Sequence, residues 1–447
     1  MSLKITVIGT GYLGATHAAA MAELGFEVLG LDVVPEKIAM LERGETPMYE
    51  PGLDELLRAH VAGIEGSTGR LRFTTDFAEV AEFGDVHFVC VNTPQKHGEY
   101  ACDMSYVDSA IASLAPHLRR PALVVGKSTV PVGSADRLAA YLAEHAPAGA
   151  DAELAWNPEF LREGFAVQDT LHPDRVVAGV RGERAEKLLR EVYATPLGEG
   201  TPFVVTDFPT AELVKTAANS FLATKISFIN AMAEVCEAAD GDVVKLAEAI
   251  GHDERIGKKF LRAGIGFGGG CLPKDIRAFM ARAGELGADQ ALTFLREIDS
   301  INMRRRGEMV EMAREALGGG SFLGKRVAVL GATFKPDSDD VRDSPALNVA
   351  GQIHLQGGQV TVYDPKGMDN ARKLFPTLGY AESAREAVRG ADVVLHLTEW
   401  REFRELDPAV LGEVAASRVV LDGRNALDPV PWRKAGWTFR AMGRPTA

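Results

Sequence analysis

The feature that most constrains the fold is a glycine-rich turn between two apolar runs near the N-terminus. Residues 4–8 (K-I-T-V-I) have the composition of a buried strand, and residues 9–14 follow directly as G-T-G-Y-L-G. A helical stretch comes next, and a second apolar run, residues 27–31, ends at Asp32. Strand, turn, helix and strand in this order predict a βαβ unit in a parallel, doubly wound sheet.

The same turn has the spacing that fits a dinucleotide. Gly9 permits the tight turn, Gly11 lets a pyrophosphate approach the backbone, and Gly14 lets helix and sheet pack closely. The following helix presents its N-terminal N–H groups and positive dipole end to the phosphates. Asp32 can accept hydrogen bonds from both ribose hydroxyls and would repel a 2′-phosphate, which favours NAD over NADP. A tight βα turn that binds no nucleotide is the alternative.

More buried-strand candidates lie on both sides of a long helical stretch. They are residues 86–91, 122–126, 154–156, 326–331, 359–364 and 391–395. Between these groups, Asp207 begins a helix-start signal, D-F-P-T, and residues 211–239 contain neither Gly nor Pro. We therefore predict an α/β fold with two doubly wound, Rossmann-like domains joined by a long central helix. The predicted domains are residues 1–206, 207–317 and 318–447.

Charge and composition exclude several classes of function. The formal net charge is −13 at pH 7, which argues against nucleic acid or an anionic membrane as the main partner. The cysteines are few and irregularly spaced, so we expect neither a disulfide framework nor a metal site. The N-terminal residues lack the layout of a signal peptide, and no apolar run approaches the ~20 residues of a transmembrane helix. We expect a cytoplasmic protein.

A second glycine-rich segment places a cysteine on unusually bare backbone. Residues 266–275 read G-F-G-G-G-C-L-P-K-D, with Cys271 after the last glycine. Glycines leave a thiol uncovered and let a substrate come close to the backbone. Lys274 favours the thiolate, which is the nucleophilic form of cysteine. The segment indicates a nucleophile, and a small buried cysteine in a glycine-rich loop is the alternative.

Segments spread over nearly the full length resemble the UDP-glucose/GDP-mannose dehydrogenase family. They are residues 9–14, 49–53 (Y-E-P-G-L), 92–94 (N-T-P), 127–131 (K-S-T-V-P), 157–164 (N-P-E-F-L-R-E-G), 215–219 (K-T-A-A-N), 255–275 and 422–424 (D-G-R). The resemblance implies that NAD oxidises the C6 alcohol of a nucleotide sugar to a carboxylate in two steps. Residues 49–53 and 255–260 favour UDP-glucose as the sugar, and GDP-mannose is the alternative. A non-catalytic nucleotide-sugar-binding protein is the alternative of another class.

The resemblance also implies catalytic roles, for Cys271, Glu159, Lys215, Asn219, Asp275 and Thr129. Cys271 is the nucleophile that carries the sugar as a thiohemiacetal and then as a thioester, and Glu159 is the general base for the water that cleaves the thioester. Lys215 and Asn219 lie four residues apart on the long helix and would stabilise an oxyanion at C6. The other two residues would hold the catalytic water. A solvated helix face or surface charge is the alternative for these polar side chains.

Further residues resemble ligands of the cofactor and of the sugar nucleotide. The implied cofactor ligands are Gly9, Gly11, Tyr12, Leu13, Gly14, Asp32, Lys37, Thr93, Thr129, Glu163, Lys274 and Arg342. The implied substrate ligands are Glu159, Phe160, Leu161, Arg162, Glu163, Lys215, Asn219, Arg255, Phe260, Leu261, Arg262, Ala263, Gly264, Gly268, Lys335 and Arg424. By this resemblance residues 1–206 bind NAD, residues 207–317 form the central dimerisation domain, and residues 318–447 bind the UDP-sugar.

Three details refine this picture. The turn at residues 331–335, G-A-T-F-K, lacks the second glycine, so the C-terminal sheet would hold a different nucleotide; Lys335 would meet its phosphate or sugar, or be a solvated lysine. Arg255 resembles an arginine offered to the neighbouring subunit, which implies a homodimer. Gly270 stands where the family usually has serine, so a hydroxyl is lost next to Cys271.

Overall fold

The structure is a computed structural model that describes residues 3–445, and it divides into two compact units. The first unit runs to Ala218 and includes Arg277–Gly287. The second comprises Asn219–Ile276 and the residues from Ala288 onward. Among the described residues, no helix combines the length and the apolarity needed to cross a bilayer.

The first unit is built on a largely parallel sheet. Its strands are β1 Lys4–Ile8, β2 Glu27–Leu31, β3 Leu71–Thr74, β4 Val86–Val89, β5 Ala122–Gly126, β6 Ala152–Trp156, β7 Val176–Gly179 and β8 Phe203–Thr206. They lie in the order β3-β2-β1-β4-β5-β6-β7-β8, with only β6 and β7 antiparallel among these strands. The direction of winding reverses between β1 and β4. In open α/β sheets such a switch point, at the carboxyl ends of the strands, is where ligands bind.

Helices cover both faces of this sheet. They are α1 Tyr12–Glu23, α2 Pro35–Glu42, α3 Leu53–His60, α4 Phe77–Phe83, α5 Ser105–Leu114, α6 Ser134–His145, α7 Ala166–Leu171, α8 Glu183–Val192 and α9 Ala194–Gly198. Two hydrophobic clusters pack on the two sides of the strands. Strand β5 is buried along its whole length, as expected for a parallel strand with helices on both faces.

A long helix follows the first sheet in the chain, as predicted. It is α10 Phe208–Ala239, and the helices after it are α11 Val243–Gly251, α12 Leu272–Glu285 and α13 Phe294–Ala316. The backbone N–H of Thr210 donates to the Asp207 carboxylate at 2.7 Å, so the start signal in the sequence caps the first turn of α10. The long run without Gly or Pro therefore fixed the extent of this helix.

The second unit ends in another parallel sheet. Its strands are β9 Arg326–Leu330, β10 Gln359–Tyr363, β11 Gly379–Tyr380, β12 Val393–His396, β13 Val419–Asp422 and β14 Thr438–Ala441, in the order β11-β10-β9-β12-β13-β14. Its helices are α14 Pro345–Leu355, α15 Met368–Leu374, α16 Ala384–Val388, α17 Arg401–Arg404, α18 Pro408–Gly412 and α19 Pro429–Lys434. Winding again reverses next to the first strand, between β9 and β12. The predicted α/β class with two Rossmann-like sheets is confirmed.

The core of the first sheet makes a prediction about acid stability. His87 in β4 is fully buried, with Nδ1 2.8 Å from the Thr6 hydroxyl oxygen, and burial lowers its pKa to about 3. The unfolded chain gains a proton at a histidine near pH ~6.5, whereas the folded chain stays neutral. The free energy of unfolding should therefore fall as pH drops from about 6.5 towards 3, by up to ~1.4 kcal/mol per pH unit from this residue.

Urea unfolding midpoints between pH 7.5 and 5 measure this effect. A His87→Gln variant should show a shallower loss of stability with acid than the unmodified protein. His145→Gln, which changes an exposed histidine, is the control and should keep the original slope. Equal slopes in all three proteins would show that His87 is protonated in the folded state.

Candidate active site

The dinucleotide turn is built from glycines that the local geometry requires. Strand β1 ends at Ile8 and helix α1 begins at Tyr12, so the turn is only three residues long. Gly9 has φ of 87°, a conformation that other residues rarely adopt. A Cβ atom on Gly14 would lie 1.8 Å from the Gly9 carbonyl oxygen. The first-turn N–H groups of α1 have no carbonyl partner within the helix, which suits a pyrophosphate.

Asp32 is fixed against this turn by several donors. The Thr10 backbone N–H and hydroxyl donate to its Oδ2 at 3.0 and 3.2 Å, and the Val34 N–H donates to Oδ1 at 3.1 Å. Lys37 Nζ also lies 2.7 Å from Oδ2. Asp32 is 5% exposed, so its charge is balanced by fixed partners rather than by solvent. The structure brings the glycine turn, Asp32 and Lys37 together at the carboxyl end of β1 and β2, where they fit the adenosine side of NAD.

A buried ion pair joins the loop after β6 to α10. Lys215 Nζ lies 3.1 Å from Glu159 Oε1, and the two side chains are 6% and 13% exposed. The other carboxylate oxygen of Glu159 accepts the Leu161 N–H at 2.8 Å. The Phe160 ring lies 5.6 Å from the Lys215 ammonium, and the Arg175 guanidinium stacks 3.7 Å from the same ring. A carboxylate and a cation shielded from solvent are the components of a proton-transfer site.

The base of this loop is held by a buried lysine whose role the sequence did not reveal. Lys127, at the end of β5, donates to Asn157 Oδ1 at 3.0 Å and to the Tyr193 hydroxyl oxygen at 3.2 Å. Asn157 donates in turn to the Val177 carbonyl at 2.7 Å. Because Asn157 lies two residues before Glu159, this network fixes the start of the loop that carries the carboxylate. Both residues lie in motifs that resemble the family, at residues 127–131 and 157–164. The motifs indicated that the residues matter but did not predict this hydrogen-bond network.

Glu50 fixes the far end of the same loop. Its two carboxylate oxygens accept the backbone N–H groups of Gly164 and Ala166 at 2.6 and 2.7 Å. The Tyr12 hydroxyl donates to Glu50 as well. Burial and the neighbouring carboxylate raise the pKa of Tyr12 well above its usual value, so the phenol stays a donor. Glu50 is 5% exposed, and its position in Y-E-P-G-L was the only signal available in the sequence.

Glu212 holds the start of α6 in a similar way. Its carboxylate, on α10, accepts the N–H groups of Gly133 and Ala135 at 2.7 Å each. It is 2% exposed, and burial raises its pKa to about 7. Thr129 is four residues before Gly133, so the predicted water-binding residue sits on a segment anchored to α10. Glu212 is one helical turn before Lys215, and no sequence signal identified it.

In the second unit, Cys271 is exposed and directly precedes helix α12. The Asp275 backbone N–H donates to the Cys271 carbonyl at 3.0 Å, which is the first hydrogen bond of that helix. A helix N-terminus stabilises negative charge, as a thiolate requires. The Asp275 carboxylate accepts the Asn219 amide at 2.6 Å and lies 2.5 Å from Lys274 Nζ. The buried Asn219 and Asp275 and the partly buried Lys274 thus form one polar chain beside the start of α12.

The glycine loop, residues 264–270 directly before Cys271, is held through its backbone by α13. Asn302 accepts the Phe267 N–H at 2.7 Å and donates to the Phe267 carbonyl at 3.0 Å. Arg306 donates to the same carbonyl at 3.1 Å and to the Asp343 carboxylate at 2.7 Å. Arg305 points its Nε at the Gly264 carbonyl, 3.4 Å away. Asn302 and both arginines are at most 1% exposed.

Two more side chains bind the backbone of the glycine loop. Asn230 on α10 accepts the Gly264 N–H at 2.8 Å. Arg424, predicted as a substrate ligand, donates to the carbonyl oxygens of Gly266, Leu397 and Phe334 at 2.7, 2.8 and 3.0 Å. Three of its five N–H groups therefore bind backbone. The bond to Gly266 ties Arg424 to the glycine loop, and the substrate role of Arg424 stays a prediction.

The loop is bare because protein atoms occupy the space that side chains would need. A Cβ on Gly264 would lie 2.4 Å from the Gly423 carbonyl, and one on Gly268 would lie 2.3 Å from the Asp343 carbonyl. At Gly270, where the family usually has serine, a Cβ would lie 2.3 Å from the Arg342 guanidinium carbon. The sequence predicts a substrate in this space, whereas backbone carbonyls occupy it at Gly264 and Gly268, and the end of the Arg342 side chain lies next to Gly270.

The remaining predicted ligands differ in exposure. Thr93, Leu261 and Ala263 are buried, Leu13, Thr129, Phe160, Leu161, Glu163 and Lys335 are partly buried, and Arg162, Arg255, Phe260, Arg262 and Arg342 are exposed. Arg255 is 89% exposed and pairs with Asp253 at 2.6 Å. Arg162 pairs with Asp169 at 2.6 Å. The exposed group includes arginines already paired with carboxylates, so their binding roles stay predictions.

Comparison with known proteins identifies the family. The chain matches three domain models of the UDP-glucose/GDP-mannose dehydrogenase family: the NAD binding domain at residues 3–197, the central domain at 209–304 and the UDP binding domain at 328–429. A UDP-glucose 6-dehydrogenase of Rhizobium meliloti (strain 1021) is 41% identical over 445 residues, covering 99% of this chain and 100% of that protein.

Solved structures agree with the sequence matches. A UDP-glucose dehydrogenase from the hyperthermophilic archaeon Pyrobaculum islandicum superposes with a TM-score of 0.89 at 35% identity, covering 100% of this chain and 98% of that one. A UDP-D-ManNAc dehydrogenase from Pyrococcus horikoshii gives a TM-score of 0.86 at 28% identity, with 100% of each chain covered. The buried loop anchors and the glycine turn thus sit in a chain that belongs to the UDP-glucose/GDP-mannose dehydrogenase family of NAD-dependent nucleotide-sugar dehydrogenases.

Proposed function

We propose that the protein oxidises the C6 alcohol of UDP-glucose to the carboxylate of UDP-glucuronate. The observation that carries this proposal is the exposed Cys271 at the start of α12, beside the chain of Asn219, Asp275 and Lys274. Full-length relatives named UDP-glucose 6-dehydrogenase support UDP-glucose over other nucleotide sugars. NAD, held by the glycine turn and Asp32, supplies the hydride acceptor for each of the two oxidations.

The thiol makes the second oxidation possible. After the first hydride has left C6, the carbon is an aldehyde, and the Cys271 thiolate adds to it to form a C–S bond and a thiohemiacetal. The hydrogen that remains on C6 leaves as the second hydride, which gives a thioester. Water then breaks the C–S bond, and the products are the carboxylate and the thiol. Without the thiol, the second oxidation must wait for the aldehyde to become hydrated.

The polar side chains supply charge and protons. In this proposal, Lys215 and Asn219 stabilise the oxyanion at C6 while the thiol adds and while water attacks. Glu159 removes a proton from that water, and its ion pair with Lys215 fixes the carboxylate at 3.1 Å from the ammonium. Asp275 and Thr129 position the water by hydrogen bonds. The residue types and their burial support these roles.

We also propose that the working unit is a homodimer formed through α10. Phe221, Phe228 and Val235 recur at seven-residue spacing and are 66%, 46% and 57% exposed, so they line one face of the helix. The segment that carries Arg255 is tied to the same helix, because Lys225 donates to the Ile256 carbonyl at 2.9 Å. A second copy of the chain would cover this apolar stripe and meet Arg255.

The substrate prediction is tested by following NADH production. Purified protein with NAD should act on UDP-glucose in preference to UDP-galactose, UDP-N-acetylglucosamine and GDP-mannose. Each UDP-glucuronate formed should be accompanied by two NADH, with little free aldehyde, because the thioester route retains the intermediate. A preference for GDP-mannose, or absence of NADH with all four sugars, would contradict the proposal.

Variants at the cysteine test the mechanism. Cys271→Ala should lower turnover at least ~10²-fold, or about 2.7 kcal/mol of barrier, while UDP-glucose and NAD still bind. Supplied with the 6-aldehyde and NADH, this variant should still reduce the aldehyde, since that half-reaction needs no thiol. Cys102→Ala, a change at a cysteine of the first unit, is the control and should stay fully active. Acid formation by Cys271→Ala at the original rate would make the cysteine structural.

The choice of cofactor should depend on Asp32. The protein should prefer NAD to NADP by roughly 30–150-fold in kcat/KM, because the carboxylate repels a 2′-phosphate by ~2–3 kcal/mol. Asp32→Asn should reduce this ratio to below about tenfold, since Lys37 then attracts the phosphate. Glu36→Gln removes one charge from an exposed residue nearby and should leave the ratio unchanged. Equal use of both cofactors by the unmodified protein would contradict the assignment of Asp32.

The dimer proposal is tested by placing charge on the apolar stripe. A Phe221→Glu, Phe228→Glu variant should sediment as a monomer, because burial of two carboxylates against a second copy costs several kcal/mol. Leu355→Glu, which changes an 86% exposed leucine elsewhere in the second unit, should not alter the sedimentation coefficient. A monomeric unmodified protein with full activity would rule out the dimer as the working unit.

A further inference from the structure

Glu50 is a buried acid that joins two parts of the first unit. Tyr12, the first residue of α1, lies directly after the glycine turn, and its hydroxyl donates to the Glu50 carboxylate. Gly164 and Ala166 end the loop that begins at Asn157, and their N–H groups donate to the same carboxylate at 2.6 and 2.7 Å. The Gly164 N–H also lies 3.0 Å from the Tyr12 oxygen.

The carboxylate depends on all of these donors together. Within residues 3–445, no lysine, arginine or histidine forms an ion pair with Glu50, which is 5% exposed. Burying an unpaired carboxylate is costly, and here only N–H and O–H dipoles offset that cost. Loss of one donor leaves part of the carboxylate charge uncompensated, which weakens the whole arrangement. The hydrogen bonds of this network therefore depend on one another.

The two ends of this network have different tasks. One end is the turn that holds the cofactor phosphates, and the other is the loop that carries Glu159 and Glu163. Glu212 offers a comparison within the same unit, since it also accepts two N–H groups two residues apart, at Gly133 and Ala135. The partners of Glu212 do not include a residue that adjoins the glycine turn. A simple loop anchor therefore needs no tyrosine, and Tyr12 is the feature of Glu50 that a merely structural role leaves unexplained.

We propose that Glu50 is a positioning residue that couples occupation of the dinucleotide turn to the placement of the 157–166 loop. NAD phosphates contacting the turn fix Tyr12, Tyr12 fixes the Glu50 carboxylate, and the carboxylate fixes Gly164 and Ala166. The loop then holds Glu159 where it can act on water. This inference rests on the proposed function, in which Glu159 serves the hydrolysis of the Cys271 thioester.

A double-mutant cycle tests the coupling. Glu50→Gln places an amide NH2 against one of the backbone N–H donors, and Tyr12→Phe removes only the hydroxyl. Each single variant should raise the dissociation constant of NAD and slow decay of the Cys271 thioester by about 10–100-fold, as expected for a misplaced catalytic group. In the Glu50→Gln background, Tyr12→Phe should change the NAD dissociation constant and the thioester decay rate little further, because the link between Tyr12 and the loop is already lost. Calorimetry gives the NAD affinity, and mass spectrometry gives the adduct on the Cys271 peptide.

Controls separate positioning from loss of stability. Glu212→Gln should lower the urea midpoint to a similar extent, yet its effect on NAD affinity should add fully to that of Tyr12→Phe. If Glu50→Gln lowers the midpoint but leaves NAD affinity and thioester decay unchanged, Glu50 is structural and the proposal is wrong. Additive effects of Tyr12→Phe and Glu50→Gln would also overturn it.

The outcomes also distinguish this proposal from the proposed function. Glu159→Gln should trap the thioester on Cys271 whether or not Glu50 positions the loop. If Glu159→Gln traps no adduct, the proposed function fails, and the NAD-affinity cycle alone still decides whether Tyr12 and Glu50 are coupled. If Glu159→Gln traps the adduct while Glu50→Gln does not, the proposed function stands and Glu50 has no positioning role.

Discussion

The glycine loop before Cys271 depends on buried arginine and asparagine side chains that bind its backbone. Arg306, Arg424 and Asn302 direct their donors at the carbonyls of Phe267 and Gly266. A guanidinium buried without acceptors costs several kcal/mol, so the loop carbonyls stabilise these arginines, together with Asp343 for Arg306 and the Leu397 and Phe334 carbonyls for Arg424. The loop in turn has few side chains for packing, and Ile265 and Phe267 are its buried apolar ones. Each partner therefore holds the other, and the position of the thiol follows from this mutual constraint.

The first unit fixes several loops with buried carboxylates, and it fixes the start of the 157–166 loop with the buried cation of Lys127. Glu50 and Glu212 each accept two backbone N–H groups, and Asp32 accepts three donors from the glycine turn and the residues after it. Backbone N–H groups near helix starts need acceptors, whereas backbone carbonyls in a glycine loop need donors. At each of these loops, the sign of the buried charge matches the backbone groups that the loop leaves unsatisfied.

Local sequence patterns predicted most of the fold but few of the anchors. Runs of apolar residues, the glycine turn and the stretch without Gly or Pro after Asp207 act over a few residues, so they could be read directly. Asn302 and Phe267 are 35 residues apart, and Glu50 and Gly164 are 114 apart. Such contacts exist only after folding. Gly270 shows the same limit, because the side chain next to it belongs to Arg342, a residue 72 positions away that no spacing rule connects to it.

Amide hydrogen exchange at Gly264 and Phe267 is the most direct test of the claim that the glycine loop is held through its backbone. Both N–H groups donate to buried asparagines, at 2.8 and 2.7 Å. Resolved to single residues, they should exchange as slowly as amides in the central strands, and Asn302→Ala should accelerate Phe267 while leaving those strands protected. Rapid exchange of both amides in the unmodified protein, at the rate of an open loop, would contradict the account.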